Sequence, residues 1–121
     1  MKKVMIIEDD PLIRDMMEEL ITLIPNCQYI SFSGGNPAIE YFNNISVDDK
    51  IDLIISDVRM GDGDGVSFLK RLRKKDRKLP VMMMTGYSDV DKELLINMGA
   101  NAIIMKPFEL KSIIVEIKKF L

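Results

Sequence analysis

The chain predicts a doubly wound α/β sandwich: five parallel strands, with five helices packed over both faces of the sheet. Three observations carry this reading. Short apolar runs recur five times, several apolar almost throughout, as strands covered on both faces require. Amphipathic stretches with helical three- and four-residue spacing separate them. The 121 residues, 47% hydrophobic and 30% charged, suit one domain able to bury a core without staples.

The first run, Val4–Ile7, ends on Glu8, Asp9 and Asp10, and a helical pattern follows through Leu12, Ile13, Met16, Met17, Leu20, Ile21 and Ile24. The second run, Tyr29–Phe32, leads into Ser33-Gly34-Gly35. Asn36 then reads as the N-cap of a second helix, with Pro37 at its first position. The third run, Leu53–Ile55, finishes on Ser56-Asp57 and passes into "GDGDG". A carboxylate at the end of a buried strand needs solvent or a partner, because burying its charge alone is costly.

The basic segment "KRLRKKDRK", residues 70–78, suits the outer face and C-terminal end of a third helix, where cations complement the helix dipole. The fourth run, Val81–Met84, precedes Thr85-Gly86. Ser88-Asp89-Val90-Asp91 resembles a capping box for the fourth helix, and Gly99 suits its C-terminal glycine. The fifth run, Ala102–Met105, leads to Lys106-Pro107. Leu110, Ile113, Ile114, Ile117 and Leu121 then predict a last helix that runs to the final residue. With no linker, repeat or low-complexity tail, one domain over 1–121 is expected, with no effector domain in the chain.

Composition excludes several functions. The net charge of −2, from 17 basic and 19 acidic residues, gives no electrostatic case for direct binding of nucleic acid. Cys27, the only cysteine, cannot form an internal disulfide. No segment resembles a signal peptide or approaches the roughly 20 apolar residues of a membrane span, so no membrane association and a cytoplasmic location are expected. The absence of histidine excludes imidazole acid–base chemistry and histidine-ligated metal sites.

Open parallel sheets bind ligands outside the carboxyl ends of their strands. Here those ends carry Glu8, Asp9 and Asp10 after the first run, Asp57 after the third, Thr85-Gly86 after the fourth and Lys106 after the fifth. Carboxylates crowded at one edge repel one another unless a cation lies between them. Oxygen-only ligation points to Mg²⁺, with Mn²⁺ as the alternative, rather than zinc. In such a setting Asp57 can act as a nucleophile toward phosphorus. Mg²⁺, Lys106, the Thr85 hydroxyl and nearby backbone N–H groups would share the phosphoryl charge, and Gly86 leaves room beside it.

These pieces resemble the response-regulator receiver domain of bacterial two-component signalling, over the whole chain. The matching segments are "IIEDD", "DLIISDVRM", "GDGDG", "MMMTGY" and "MKPF", with spacings of 57−9 = 48, 85−57 = 28 and 106−57 = 49. The resemblance implies a (βα)5 flavodoxin-like fold with strand order 2-1-3-4-5. It implies Asp57 as phosphoacceptor and Glu8, Asp9, Asp57 and the Arg59 backbone carbonyl as the metal site. Thr85, Gly86 and Lys106 would contact the phosphoryl group and switch, and Pro107 would follow a peptide bond that the family often builds cis. Arg59 and Tyr87 occupy positions that tune dephosphorylation.

The implied partners are a sensor histidine kinase or histidine phosphotransfer protein, and a downstream protein target or an effector domain outside this chain. Contact is expected through the fourth helix, fifth strand and fifth helix. Such a module is not an enzyme on other substrates: it catalyses only its own phosphoryl transfer and autodephosphorylation.

Three positions depart from the family pattern. Gly61 stands where proline is usual, which loosens the turn after Asp57. Glu8 replaces the commoner aspartate of the acidic pair. Ile103 stands at the switch position where the family usually carries tyrosine or phenylalanine.

Other readings fit less well. "DGDGV", Asp62 to Val66, matches the nucleophile motif of haloacid-dehalogenase-like phosphatases, but Asp62 lies five residues past Asp57 rather than directly after a strand. Read as a calcium loop with Gly65 at the sixth position, the same stretch puts Met60 and Arg71 where ligands belong. A flavin-nucleotide binder would meet repulsion from the acidic "EDDPL" loop. A phosphorylation-independent docking module, a degenerate receiver, is the main alternative, and the joint presence of Asp9, Asp57, Thr85 and Lys106 speaks against it.

Overall fold

A computed structural model describes residues 1–46, 48–86 and 91–121. The strands are β1 (Lys2–Ile7), β2 (Cys27–Phe32), β3 (Leu53–Asp57), β4 (Val81–Thr85) and β5 (Ala102–Met105). The helices are α1 (Pro11–Thr22), α2 (Gly35–Asn44), α3 (Gly65–Arg73), α4 (Lys92–Asn97) and α5 (Leu110–Lys118). The strands form one sheet in the order β2-β1-β3-β4-β5, every neighbouring pair parallel. The expected fold and strand order are thus present.

Alternation along each strand divides the core into two layers. Met5, Ile7, Ile54, Val81 and Met83 face the layer that includes Ala38, Ile39, Phe68, Leu69 and Leu95 of α2, α3 and α4. Val4, Ile6, Leu53, Ile55, Met82 and Met84 face Met17, Leu20 and Ile21 of α1 and Ile113 and Ile117 of α5. The inner strand β4 therefore sends three consecutive methionines, all fully buried, into opposite layers. The register brings the strand ends together: Ile7 lies opposite Ser56, Asp57 opposite Met84, and Thr85 opposite Met105.

Several boundaries differ from the sequence reading. β1 starts at Lys2 and β2 at Cys27, because the ladder continues to the solvated edge where apolar side chains are not needed. At the other edge, β3 and β4 include Asp57 and Thr85 themselves.

Asn36 is not the cap of α2. Gly34 takes that position without a side-chain bond, and the backbone carbonyls of Gly63 and Asp62 accept the Gly35 and Asn36 N–H groups at 2.8 and 3.0 Å. α5 stops at Lys118 rather than at the last residue, and the Phe120 and Leu121 N–H groups close tighter turns onto Ile117 and Lys118.

Ser88, Asp89 and Val90 of the expected capping box lie outside the described residues. Asp91 does cap α4, accepting the Leu94 N–H at 3.1 Å. Gly99 has a φ of +114°, as a residue ending a helix in the left-handed region should. Its carbonyl accepts 3.2 and 2.7 Å bonds from Arg73, which ties the end of α3 to the turn before β5. Among the described residues, no helix is long and apolar enough to cross a membrane.

Candidate acidic site at the carboxyl ends of the strands

Asp57 is the last residue of β3 and is only 5% exposed. Its Oδ1 accepts the Val58 N–H at 2.9 Å, and its Oδ2 lies 3.2 Å from Lys106 Nζ. Asp57 therefore has a partner, which answers the cost of ending a buried strand on a carboxylate. Lys106 follows β5, where its N–H donates to the Thr85 carbonyl at 2.7 Å. The Lys106–Pro107 bond is cis, as the resemblance implied.

The same ammonium lies 2.7 Å from Oε1 of Glu8, a carboxylate with no solvent exposure. Glu8 Oε2 accepts the Asp10 N–H at 3.3 Å. Burial pushes the Glu8 carboxyl up to about 7, against the pull of the Lys106 hydrogen bond and with a further push from Asp57. Burial works against the charge on Lys106, but Glu8 and Asp57 outweigh it, and its basicity is raised.

Asp9 is exposed, and its Oδ2 accepts the Gly61 N–H at 3.3 Å. Glu8, Asp9 and Asp57 each present one oxygen within 4.8 Å of the others. Three carboxylates facing one lysine leave a local excess of negative charge. Hard oxygen donors with that excess fit a small divalent cation such as Mg²⁺. The cluster opens on a hollow of 310 Å³ that Arg59 and Gly86 also line. Hollows of 580 and 590 Å³ lie around the amino ends of the strands, beside Lys2, Asp49 and Asp52, away from this chemistry.

Thr85 is fully buried at the end of β4. Ile103 is half-buried against the layer that includes Leu95. Tyr87 lies outside the described residues. Asp10 has a local task, since its Oδ1 accepts the Leu12 N–H at 3.0 Å and caps α1. Asp62 is exposed, bonded to the Asn36 amide at 3.1 Å, and does not line the hollow. Sequence reasoning did not foresee the direct Glu8–Lys106 pair; the one signal for it was that both residues end strands of the same sheet.

The sequence matches the family model described as the response regulator receiver domain over residues 4–118. It is 30% identical over 122 residues to the transcriptional regulatory protein CpxR of Escherichia coli, covering 100% of this chain and 50% of CpxR. The chain spans about half or less of the length of the curated relatives it matches. The chemotaxis response regulator CheY4 of Vibrio cholerae superposes with a TM-score of 0.87 at 24% identity, covering 100% of this chain and 99% of CheY4. The response regulator TrrA of Thermotoga maritima, solved in complex with Mg²⁺-BeF, gives 0.85 at 24% identity and 100% coverage of both chains. With the family match running almost from end to end, this protein belongs to the response-regulator receiver domains, the signalling modules of two-component systems.

Proposed function

We propose that Asp57 accepts a phosphoryl group from the phosphohistidine of a sensor histidine kinase or histidine phosphotransfer protein, in a Mg²⁺-dependent reaction. The carrying observation is that Asp57 ends its strand 3.2 Å from Lys106 inside the cluster it forms with Glu8 and Asp9. An Asp57 oxygen attacks phosphorus, the O–P bond forms as the P–N bond breaks, and the electron pair leaves with the imidazole.

Glu8, Asp9, Asp57 and the Arg59 carbonyl would hold Mg²⁺, or Mn²⁺ in its place, which when bound neutralises phosphoryl oxygens. The Mg²⁺-BeF complex of TrrA supports this by analogy of fold. Lys106 already touches Asp57 and so meets a phosphoryl oxygen there. The Thr85 hydroxyl and the Gly86 backbone take the remaining contacts. Arg59 and Tyr87, at the two positions that tune dephosphorylation in the family, slow its loss to water, which is the only other reaction the module promotes.

The receiver, residues 1–121, signals by protein contact in the cytoplasm. The target is a separate protein or an effector segment outside these residues. Exposed Leu94, Ile96 and Met105 on α4 and β5 support the α4–β5–α5 side as the contact face. The test is intact mass after incubation with Mg²⁺ and a small-molecule phosphodonor, Asp57→Asn alongside. One added phosphoryl group on the wild type and none on the variant is expected. No adduct under rapid quenching would leave a docking module instead.

A further inference from the structure

We propose that the start of α2, Gly34 to Asn36, is a positioning device for the metal site, acting through the loop between β3 and α3. This rests on the metal reading above. The Gly65 N–H closes the base of the loop on the Val58 carbonyl at 2.8 Å, Met60 packs against the core, and two further contacts hold the outer half. At its outer end the Gly61 N–H donates to Asp9 Oδ2 at 3.3 Å, close to the limit of a useful hydrogen bond. On its inner side the Asp62 and Gly63 carbonyls accept the Asn36 and Gly35 N–H groups at 3.0 and 2.8 Å. The first N–H groups of a helix need such partners, and here a loop supplies what a capping side chain would otherwise provide.

The Asn36 side chain extends the clamp in both directions. Its Nδ2 donates to Asp62 Oδ1 at 3.1 Å, and its Oδ1 accepts from Arg71 of α3 at 3.2 Å. The two backbones pack so closely that no side chain fits between them. A Cβ on Gly34 would lie 2.3 Å from the Asp62 carbonyl oxygen, and one on Gly35 would lie 2.7 Å from that of Gly63. Gly61 is different, for a Cβ there would meet nothing within 4 Å. Gly61, the residue that touches Asp9, therefore has no packing of its own and no proline stiffness, although Met60 before it packs against the core. The residues that follow it, Asp62 and Gly63, are fixed by the start of α2.

Displacing the clamp moves the Gly61 N–H out of range of Asp9 and loosens one of the three carboxylates. Groups that orient metal ligands in this way are worth roughly tenfold or more in affinity. Two readouts test the idea: the ¹⁵N–¹H NMR signal of Gly61 in metal-free protein, and the Mg²⁺ dissociation constant by calorimetric titration. Asn36→Ala and Gly34→Ala are expected to shift the Gly61 amide and weaken Mg²⁺ binding by about tenfold. The exchange Asn36→Asp with Asp62→Asn leaves net charge unchanged, keeps a 36–62 side-chain bond and an acceptor for Arg71, and should restore both.

If Gly34→Ala fails to fold, Asn36→Ala and the exchange carry the test. Wild-type Mg²⁺ affinity and an unmoved Gly61 signal in Asn36→Ala would overturn the proposal. A wild type that binds no Mg²⁺ while its Gly61 signal still responds to Asn36→Ala would instead sink the metal reading and leave the clamp standing.

Discussion

Lys106 Nζ lies 2.7 Å from Oε1 of Glu8, a residue 98 positions away in the chain that has no exposure to solvent. The lysine that the family reading assigns to phosphate is therefore already shared between two carboxylates, Glu8 and Asp57. Lys106→Met removes that charge and should lower the melting temperature in EDTA by several degrees. The loss stays below the roughly 3–5 kcal/mol of a broken buried pair, because Glu8 can take up a proton. Added Mg²⁺ should stabilise the variant more than the wild type; an equal gain in both would refute this.

Glu8 makes metal-free stability depend on pH with a definite sign. Its folded pKa, about 7, stands above the ordinary 4.5, so the folded protein holds a proton that the unfolded chain releases between those values. That stability is complete at low pH and is lost as pH rises through about 7. Above it, ionised Glu8 is a net cost even with Lys106 beside it. Glu8→Gln should raise the melting temperature in EDTA near pH ~8, with the gain shrinking toward pH ~5, while weakening Mg²⁺ binding.

Gly61 in the loop after β3 and Gly65 at the start of α3 should respond in opposite ways to alanine. A Cβ on Gly65 would sit 2.0 Å from the Asp57 carbonyl oxygen and 2.8 Å from Met83 Cε, whereas Gly61 faces open space and does not have a positive φ. Gly65→Ala should unfold the protein at a markedly lower denaturant concentration and perturb Asp57. Gly61→Ala should be neutral or stabilise by up to about 1 kcal/mol through the unfolded state.

Ile103 fills a half-buried place without the ring the family usually has there. Truncation to alanine should cost about 1–2 kcal/mol, below the figure for a fully buried isoleucine. The rate of phosphoryl uptake followed by mass should not change, since Ile103 does not line the acidic hollow. A slowed rate would show that position 103 already takes part in the chemistry.

The lifetime of the phosphorylated form should depend on Arg59 and Tyr87. A double Arg59→Ala, Tyr87→Ala variant is expected to lose the phosphoryl group several-fold faster, because large side chains at the family's two tuning positions shield it from water. Equal rates of mass loss after donor removal would remove both residues from that role.

The sheet was legible because each strand is an apolar run, and burial on both faces imposes that pattern directly. Asp9, Asp57, Thr85 and Lys106 were legible for the related reason that polar residues ending such runs must gather at one edge. Lys2 and Lys3 were not read as strand, because ladder hydrogen bonds at a solvated edge make no demand on side chains. The start of α2 was misread because Asn36-Pro37 is a sound local cap signal, while the true partners of those N–H groups are carbonyls at Asp62 and Gly63, far along the chain. The Arg73 bonds to Gly99 are invisible for the same reason: nothing in a basic run tells which cation turns inward.

The three methionines of β4 make the interior of the sheet chemically distinctive. Thioethers are unbranched and polarizable, so they refill space as neighbours move, but peroxide converts them to polar sulfoxides once it reaches them. Met1, Met16 and Met105 are open to solvent, whereas Met5, Met17, Met82, Met83 and Met84 are sealed. In dilute peroxide the first group gains oxygen at once, and the second only when the sheet parts. The molecule thus carries a built-in clock for the opening of its own centre, one that ticks in steps of a single oxygen atom.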